Sequence, residues 1–281
     1  MAVVRSIPMV AVLAAANVLA APCVAQTYRT VTAEAASIDA TTHDLSENGR
    51  TFKFITKGDY SQVWISPTVA WNGGHSVGFD MLPTSGTAAD GSTTDKAQYR
   101  VISGSETNAL DFLQDRCTGF AVRLETNFQT PDQAVQLFQW WQGSPFSPPL
   151  ELRVKAGSLS WELVYRNDQT GRGPTAAVSL AEGGMSVGAW YRFVVCTRMS
   201  YSSSLGTGNV KLWLNGTQYV DQDGVYGYNP NVDFPYAGST YRSNPRFDLF
   251  FGLYRPRQSK RAKAFFDQVR FGVTYADVNP G

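Results

Sequence analysis

The sequence has few of the residues and patterns that mark the common enzyme classes. Its 281 residues include only two histidines and three cysteines. No cluster of these residues has the spacing of a zinc site, and no G-x-S-x-G, P-loop or dinucleotide-binding motif is present. These absences argue against zinc enzymes, α/β-hydrolases, P-loop NTPases and Rossmann-type dehydrogenases.

Long apolar runs are confined to the N-terminus. Arg5 precedes an apolar run from Met9 to Ala21, and Cys23-Val24-Ala25 is a small-x-small cleavage site. This pattern predicts a secretory signal peptide over residues 1–25. A lipoprotein interpretation through Cys23 is weaker, because the preceding residue is Pro22. No other stretch is long and apolar enough to span a membrane, so we predict a secreted protein without a membrane partner.

The chain also lacks an excess of charge of either sign. It has 24 Lys and Arg against 23 Asp and Glu, and removing Arg5 with the signal peptide leaves a neutral protein. A neutral protein is not expected to bind nucleic acid. Eight cations nevertheless fall within residues 241–270: Arg242, Arg246, Arg255, Arg257, Lys260, Arg261, Lys263 and Arg270. This patch indicates either a site for an anionic ligand or a solvated cationic turn.

Helical periodicity, internal repeats and long linkers are absent as well. The chain reads instead as many short apolar-polar strands separated by turns, with Asn215-Gly216 as the strongest hairpin signal. We therefore predict a single all-β domain over residues 26–281, a sandwich or jelly roll. Cys117 and Cys196, which remain after cleavage, are expected to pair in an oxidising compartment, although buried free thiols are the alternative.

The aromatic strand "VQLFQWWQ" holds candidate ligand-binding residues. Strict alternation places Gln139 and Trp141 on one face, together with Val135 and Leu137. A tryptophan in a groove would stack on a sugar ring, whereas the alternative is that it only packs the core. For Gln139 the alternative is a strand glutamine that faces water.

The strand "FFGLYR" holds a candidate proton-transfer residue. Phe250, Gly252 and Tyr254 share one face, and Gly252 leaves room for a ligand or for another backbone. The cationic turn follows directly, and nearby cations are expected to favour the phenolate of Tyr254 and make it a more usable proton donor or acceptor. The alternative is a tyrosine at a rim with its hydroxyl in water.

Four segments together resemble a known family. These are "LFQWWQGSPFSPPLELRV", "WYRFVVCTRMSYSSSLGTGNVKLWLNG", "FFGLYR" and "FFDQVRFGVTYADVNP". Over roughly residues 95–280 their order and spacing resemble the secreted jelly-roll polysaccharide lyases of the glucuronan-lyase and heparin-lyase type. The resemblance implies a concanavalin A-like β-sandwich (jelly roll). It also implies that the protein is a monomer that acts on an acidic polysaccharide, and that this protein requires no cofactor but is compatible with a structural calcium ion.

The resemblance also implies β-elimination on a uronate polymer. Such an enzyme neutralises the uronate carboxylate, removes the neighbouring ring proton and protonates the leaving glycosidic oxygen. Tyr254 matches the catalytic tyrosine, Gln139 the carboxylate partner and Arg100 the strand arginine that helps to hold the carboxylate. The position of His75 before a strand makes it the candidate base. The expected substrate-binding residues are Trp141, Arg255, Arg257, Lys260, Arg261 and Lys263, with the cations holding the polymer across the tyrosine.

The sequence departs from the family pattern at three places. The acidic residue usual shortly after the strand arginine is missing, since Arg100 is followed by Val101-Ile102-Ser103. Trp141 stands where the family often has a histidine, and Phe250 where it often has a lysine. Two other functions therefore remain as alternatives. One is a non-catalytic carbohydrate-binding jelly roll, and the other is a glycoside hydrolase that uses paired carboxylates, for which Glu151 and Glu162 are the candidates.

Overall fold

The computed structural model describes residues 27–58, 62–168 and 176–281, so the predicted signal peptide lies outside the described residues. None of the described helices is long and apolar enough to cross a bilayer. The described chain forms strands and one short helix, α1 (Tyr275–Val278). The strands are β1 (Thr27–Val31), β2 (Ser37–Ile38), β3 (Leu45–Glu47), β4 (Arg50–Phe52), β5 (Phe54–Lys57), β6 (Gln62–Ser66), β7 (Ser76–Met81), β8 (Thr94–Ile102), β9 (Leu110–Asp111), β10 (Asp115–Leu124), β11 (Val135–Trp141), β12 (Leu150–Val154), β13 (Ser160–Tyr165), β14 (Val178–Gly184), β15 (Trp190–Arg198), β16 (Gly208–Leu214), β17 (Thr217–Gly224), β18 (Phe234–Tyr236), β19 (Ser239–Tyr241), β20 (Arg246–Pro256) and β21 (Ala262–Gly272).

Two large antiparallel sheets form a sandwich. The back sheet has the strand order β17-β16-β15-β10-β21-β7-β6, and β1 also pairs with β21. The front sheet has the order β14-β13-β12-β11-β20-β8-β5, and β9 also pairs with β20. The predicted all-β jelly roll is therefore confirmed.

Aromatic side chains fill the space between the sheets. Phe120 of the back sheet stacks on Phe138 of the front sheet, with ring centroids 4.9 Å apart. Phe79 and Phe251 meet edge to face in the same layer, at 5.9 Å. Burying each such ring stabilises the fold by roughly 1.5–3 kcal/mol, so the alternation of apolar residues fixes which face of each strand turns inward.

A bulge in β11 changes the face on which its side chains lie. The pairing of β11 with β12 shifts register between Gln136 and Phe138, so that Leu137 is an extra residue. An extra residue reverses the alternation beyond it. The prediction that Val135 and Leu137 share a face with Gln139 is therefore wrong, because both are fully buried in the core while Gln139 lies on the outer face of the front sheet.

The two mature cysteines face each other on neighbouring strands of the back sheet. Cys117 of β10 is directly opposite Cys196 of β15, with 4.0 Å between the Cα atoms, and their sulfur atoms are bonded. The expected disulfide is thus present. It links strands in the middle of the back sheet, where a cross-link restricts the unfolded chain.

Gly252 allows two strands of the front sheet to approach closely. Its φ of +122° is a conformation that favours glycine. A Cβ atom there would lie 2.5 Å from the carbonyl oxygen of Ala97 and 3.0 Å from the Cα of Gln98, both in β8. Of the two roles considered for this glycine, the structure supports the close approach of another backbone.

Candidate active site

A groove of about 690 Å³ crosses the outer face of the front sheet. Its floor comes from β8, β11, β12 and β20, and its sides from β5, from the loop 142–149 and from the hairpin of β18 and β19. The residues that line the floor include Thr94, Lys96, Gln136, Gln139, Trp141, Glu151, Arg153 and Tyr254, and those of the sides include Ile55, Thr56, Lys57, Phe146 and Tyr236.

Aromatic residues line one part of the groove floor and the side next to it. The indole Nε1 of Trp141 donates a hydrogen bond of 2.9 Å to the carbonyl oxygen of Phe146. The Phe146 ring packs against Phe234 of the hairpin, with centroids 5.5 Å apart. Tyr236 of the same hairpin is 53% exposed at the rim. Trp141 is therefore held in a fixed orientation, as a surface on which a sugar ring can stack.

Tyr254 lies on the groove floor, directly opposite Lys96 of β8 and Gln136 of β11. Burial raises the pKa of the Tyr254 phenol, Glu151 adds to this rise, and the neighbouring Thr94 side chain acts against it. The expectation that cations favour its phenolate is wrong, because the pKa of Tyr254 is raised and burial is the main cause. Tyr254 is consequently protonated at neutral pH and can donate a proton.

Gln139 forms an amide pair on the same floor. It is only 2% exposed, and its Nε2 donates to the Oε1 of Gln98 at 2.5 Å. The Nε2 of Gln98 is buried and has no hydrogen-bond partner among the described residues. A buried donor without a partner is rare in native proteins, so the pair has a spare N–H group for an acidic ligand group, and Gln139 is the member that lines the groove. Sequence reasoning missed Gln98, although its spacing from Lys96 and Arg100 in β8 places all three on one face.

Sequence reasoning also missed Lys96, whose ammonium lies among three aromatic rings on the outer side of the front sheet. Its Nζ is 4.5 Å from the ring centroid of Phe250, 5.4 Å from that of Tyr254 and 5.6 Å from that of Trp141. These rings come from β20 and β11, whereas Lys96 comes from β8. Only the strand order brings the four residues together, so no spacing along the chain indicates this arrangement.

The surroundings of Lys96 weaken its hold on a proton. The pKa of Lys96 is lowered to about 8, mainly by burial; the charge of Asp248 opposes this shift and the charge of Lys57 adds to it. No carboxylate of the described residues forms an ion pair with this ammonium. Lys96 therefore differs from an ordinary surface lysine in both its partners and its ionisation.

Glu151 and Glu162 do not form a hydrolase pair. The Oε1 of Glu151 accepts hydrogen bonds from Arg153 at 2.7 Å and from Arg166 at 3.0 Å. Glu162 accepts from the Nε of the same Arg153, also at 2.7 Å. Glu151 lines the groove and Glu162 does not. The two carboxylates are thus joined through one arginine instead of flanking a bond to be cleaved, and the hydrolase alternative is not favoured.

His75 is not brought to the groove. It precedes β7 in the back sheet, beside β6 and β21. Its Nδ1 lies 3.1 Å from the Oε2 of Glu34. His75 as the base is therefore inconsistent with its place in the fold. The strand that follows it, β7, belongs to the back sheet, whereas Tyr254 lies on the outer face of the front sheet.

Arg100 lies in a different pocket on the front sheet. This pocket, of about 270 Å³, is lined by Arg29, Arg50, Thr51, Phe52, Lys53, Arg100, Val101 and Glu106, and it shares no residue with the groove. The Nη1 of Arg100 is 4.0 Å from the Oδ2 of Asp248. Arg100 shares a strand face with Lys96, but the structure does not place it beside Tyr254.

The arginines that directly follow Tyr254 hold a buried carboxylate. Arg255 has a fully buried side chain, which donates to the carbonyl oxygens of Leu82 and Lys260 and lies 3.9 Å from Asp95. Arg257 donates to the Oδ1 of Asp95 at 3.0 Å. Asp95 itself is fully buried, so both arginines compensate its charge. Of the turn cations, Arg255 alone is among the residues lining the groove, and its guanidinium is engaged elsewhere.

The remaining cations of the turn also have partners outside the groove. Arg261 forms a two-bond ion pair with Asp80 of the back sheet. Lys260 lies 3.9 Å from Asp132, and the Nζ of Lys263 lies 5.2 Å from the Trp64 ring centroid. The expectation that the turn holds the substrate is therefore inconsistent with its contacts, which stabilise the fold. The loop between β20 and β21 contains Arg257, Lys260 and Arg261, as the sequence predicts, but the sequence does not show their distant acidic partners.

Metal ligation has no obvious place in the described chain. Within residues 27–58, 62–168 and 176–281, no group of three or more His, Cys, Asp or Glu side chains could hold a metal ion. The expectation that no cofactor is required, and the compatibility with a structural calcium ion, stay predictions.

Comparison with known proteins identifies the family. The model of the polysaccharide lyase family matches residues 67–270. The structure is similar to that of an endo-β-1,4-glucuronan lyase from the fungus Trichoderma reesei, with a TM-score of 0.58 and 19% identity over 80% of this chain and 93% of that one. It is also similar to alginate lyase Aly36B, with a TM-score of 0.47 and 14% identity over 72% and 82% of the two chains.

No curated protein sequence matches the chain. At 19% identity, the likeness to the glucuronan lyase supports the jelly-roll fold. The family model covers most of the chain, including β8, β11, β12 and β20, which form the groove floor. The chain therefore belongs to the polysaccharide lyase family and is an enzyme that acts on polysaccharides.

Proposed function

We propose that the protein is a secreted lyase that cleaves a uronic-acid-containing polysaccharide by β-elimination in the groove of the front sheet. The observation that carries this proposal is that a protonated Tyr254 and Gln139, which is hydrogen-bonded to the buried Gln98, line the floor of the same open groove. The aromatic side of the groove, with Trp141 and Tyr236, suits sugar rings. The proposed secretion rests on the N-terminal signal pattern.

The amide pair suits the first requirement of the reaction. A uronate carboxylate makes the neighbouring C5–H acidic only when its own negative charge is compensated. Gln139 and Gln98 offer buried amide N–H groups, and hydrogen bonds to a charged acceptor are stronger than neutral ones. Lys57, which also lines the groove, adds positive charge along the polymer.

Tyr254 suits the last requirement. The C5–H bond breaks and its electron pair forms the C4=C5 double bond, while the C4–O bond breaks toward the glycosidic oxygen. That oxygen must then receive a proton, which the Tyr254 hydroxyl supplies. Because burial raises the pKa of Tyr254, the hydroxyl retains its proton until the leaving oxygen develops charge. These steps need no cofactor.

A panel of polymers tests the proposed function. Purified protein is incubated with glucuronan, alginate, pectate and glycosaminoglycans, and both the ultraviolet absorbance of unsaturated uronate and the number of reducing ends are measured. A lyase produces the two signals in equal amounts from at least one polymer. Reducing ends without absorbance would indicate a hydrolase, and binding without either signal would indicate a carbohydrate-binding module.

A further inference from the structure

We propose that Lys96 is the general base, the group that removes the C5 proton of the uronate. This inference rests on the proposed function and supplies the step for which His75 is misplaced. Lys96 lines the groove directly opposite Tyr254 on the neighbouring strand. Its Nζ lies 5.4 Å from the Tyr254 ring centroid, so one sugar ring above the floor can contact both side chains.

The contacts of Lys96 suit a group that gives up and takes up a proton. An ammonium in an ion pair keeps its proton, but no carboxylate among the described residues is paired with this one. Phe250, Trp141 and Tyr254 surround it with aromatic rings instead. The charged groups that act on it are Asp248 of β20 and Lys57 of β5. Its pKa is lowered to about 8, mainly by burial, so that about a tenth of the amine is neutral at pH 7.

The proton balance of the step closes with these two side chains. The neutral Lys96 amine takes the C5 proton and becomes an ammonium, and Tyr254 gives its proton to the glycosidic oxygen and becomes a phenolate. Proton exchange between the two, directly or through water, restores the starting state. A pair whose surroundings lower the pKa of the amine and raise that of the phenol is suited to act as base and acid together.

The placement of the pair also predicts the stereochemistry of the substrate. Lys96 and Tyr254 project from the same sheet face, so both reach the sugar from one side. In β-D-glucuronate and β-D-mannuronate the C5–H and the C4–O bonds lie on the same face of the ring, whereas in galacturonate and guluronate they lie on opposite faces. We therefore expect cleavage of glucuronate or mannuronate linkages in preference to the other two.

The test compares Lys96→Arg and Lys96→Met with a matched control, Lys260→Met, in the exposed turn. A general base contributes about 10²-fold or more to the rate. Arginine keeps the positive charge but does not give up its proton. If Lys96 is the base, both Lys96 variants lose at least about 10²-fold in kcat on the best polymer, and Lys260→Met retains the wild-type rate. Retained oligosaccharide binding and an unchanged unfolding midpoint show that the variants are folded.

The pH profile separates a base from a fixed charge. With Lys96 as base, the wild-type kcat rises with pH through the region near 8, and the residual rate of Lys96→Met lacks this rise. An active Lys96→Arg variant, or a wild-type rate that falls through the same region, would overturn the base role and assign Lys96 a purely electrostatic one. A wild type that forms no unsaturated product from any uronate polymer overturns the proposed function and the base role with it. Product formation with an active Lys96→Arg variant overturns the base role alone.

Discussion

The cationic turn after Tyr254 and the floor of the groove use positive charge in opposite ways. The turn contains five cations within nine residues, and each has a partner within the fold: Arg255, Arg257, Lys260, Arg261 and Lys263. The groove floor places one lysine, Lys96, among aromatic rings and without an ion pair among the described residues. The comparison teaches that the number of cations in a segment does not by itself indicate a ligand site, because every cation of this turn has a partner within the fold.

The two regions differ in whether buried carboxylates lie next to their cations. Asp95 and Asp80 are buried, and a buried carboxylate without a partner destabilises a protein strongly. Arg257 and Arg261 satisfy that need. Asp248 acts on Lys96 only through its charge and forms no ion pair with it, and burial is the main cause of the lowered pKa of Lys96. Its charge therefore remains available to respond to a substrate.

The largest expected effect is at the groove, for Tyr254→Phe. The substitution removes one hydroxyl and retains the ring that packs on Lys96, so the free energy of unfolding should change little. If the hydroxyl donates the proton to the leaving oxygen, the rate of unsaturated product formation should fall by at least about 10²-fold. Formation of the product at the wild-type rate would remove Tyr254 from the mechanism.

The second effect is at the turn, for Arg257→Met. The substitution leaves the buried Asp95 with one charged partner fewer, and breaking a buried ion pair costs about 3 kcal/mol of unfolding free energy. Denaturant unfolding measures this loss. The folded variant should bind and cleave the polymer as the wild type does. Weaker polymer binding with unchanged stability would mean that the turn is a binding site after all.

A smaller effect is expected for Gln139→Ala. The substitution removes one amide from the buried pair and leaves the strand in place. Losing one hydrogen bond to a charged group costs about 1.5 kcal/mol, which corresponds to roughly ten-fold in kcat/KM. Steady-state kinetics on the best polymer measure this change. An unchanged kcat/KM would show that the substrate carboxylate is held elsewhere.

The smallest effect is expected for Lys260→Ser. Its ion pair with Asp132 is 3.9 Å long, and both side chains are well exposed. An exposed pair of this kind contributes less than about 0.5 kcal/mol to stability, and salt screens it further. Polymer binding at low salt should not change. A loss of binding that is specific for acidic polymers would revive the turn as a ligand site.

The sequence alone predicts the features that depend on local pattern. Alternation and turn residues predict the all-β fold, and the sequence identifies Gln139, Trp141 and Tyr254, which share the groove. Features that depend on pairing between distant segments are not predictable in this way. Arg257 and Asp95 are separated by 162 positions, the bulge at Leu137 interrupts the alternation of β11, and the rings around Lys96 come from two other strands. For the same reason, the sequence does not show that His75 lies in the back sheet.

The most direct test of the account is a crystal structure of the Tyr254→Phe variant with a bound uronate oligosaccharide. We expect the sugar chain to lie along the groove, with a carboxylate on the Gln139–Gln98 amide pair and C5 of that residue facing the Nζ of Lys96. We also expect no sugar contact with Arg257, Arg261 or Lys263. An oligosaccharide that lies across the cationic turn, with the groove floor unoccupied, would contradict the account.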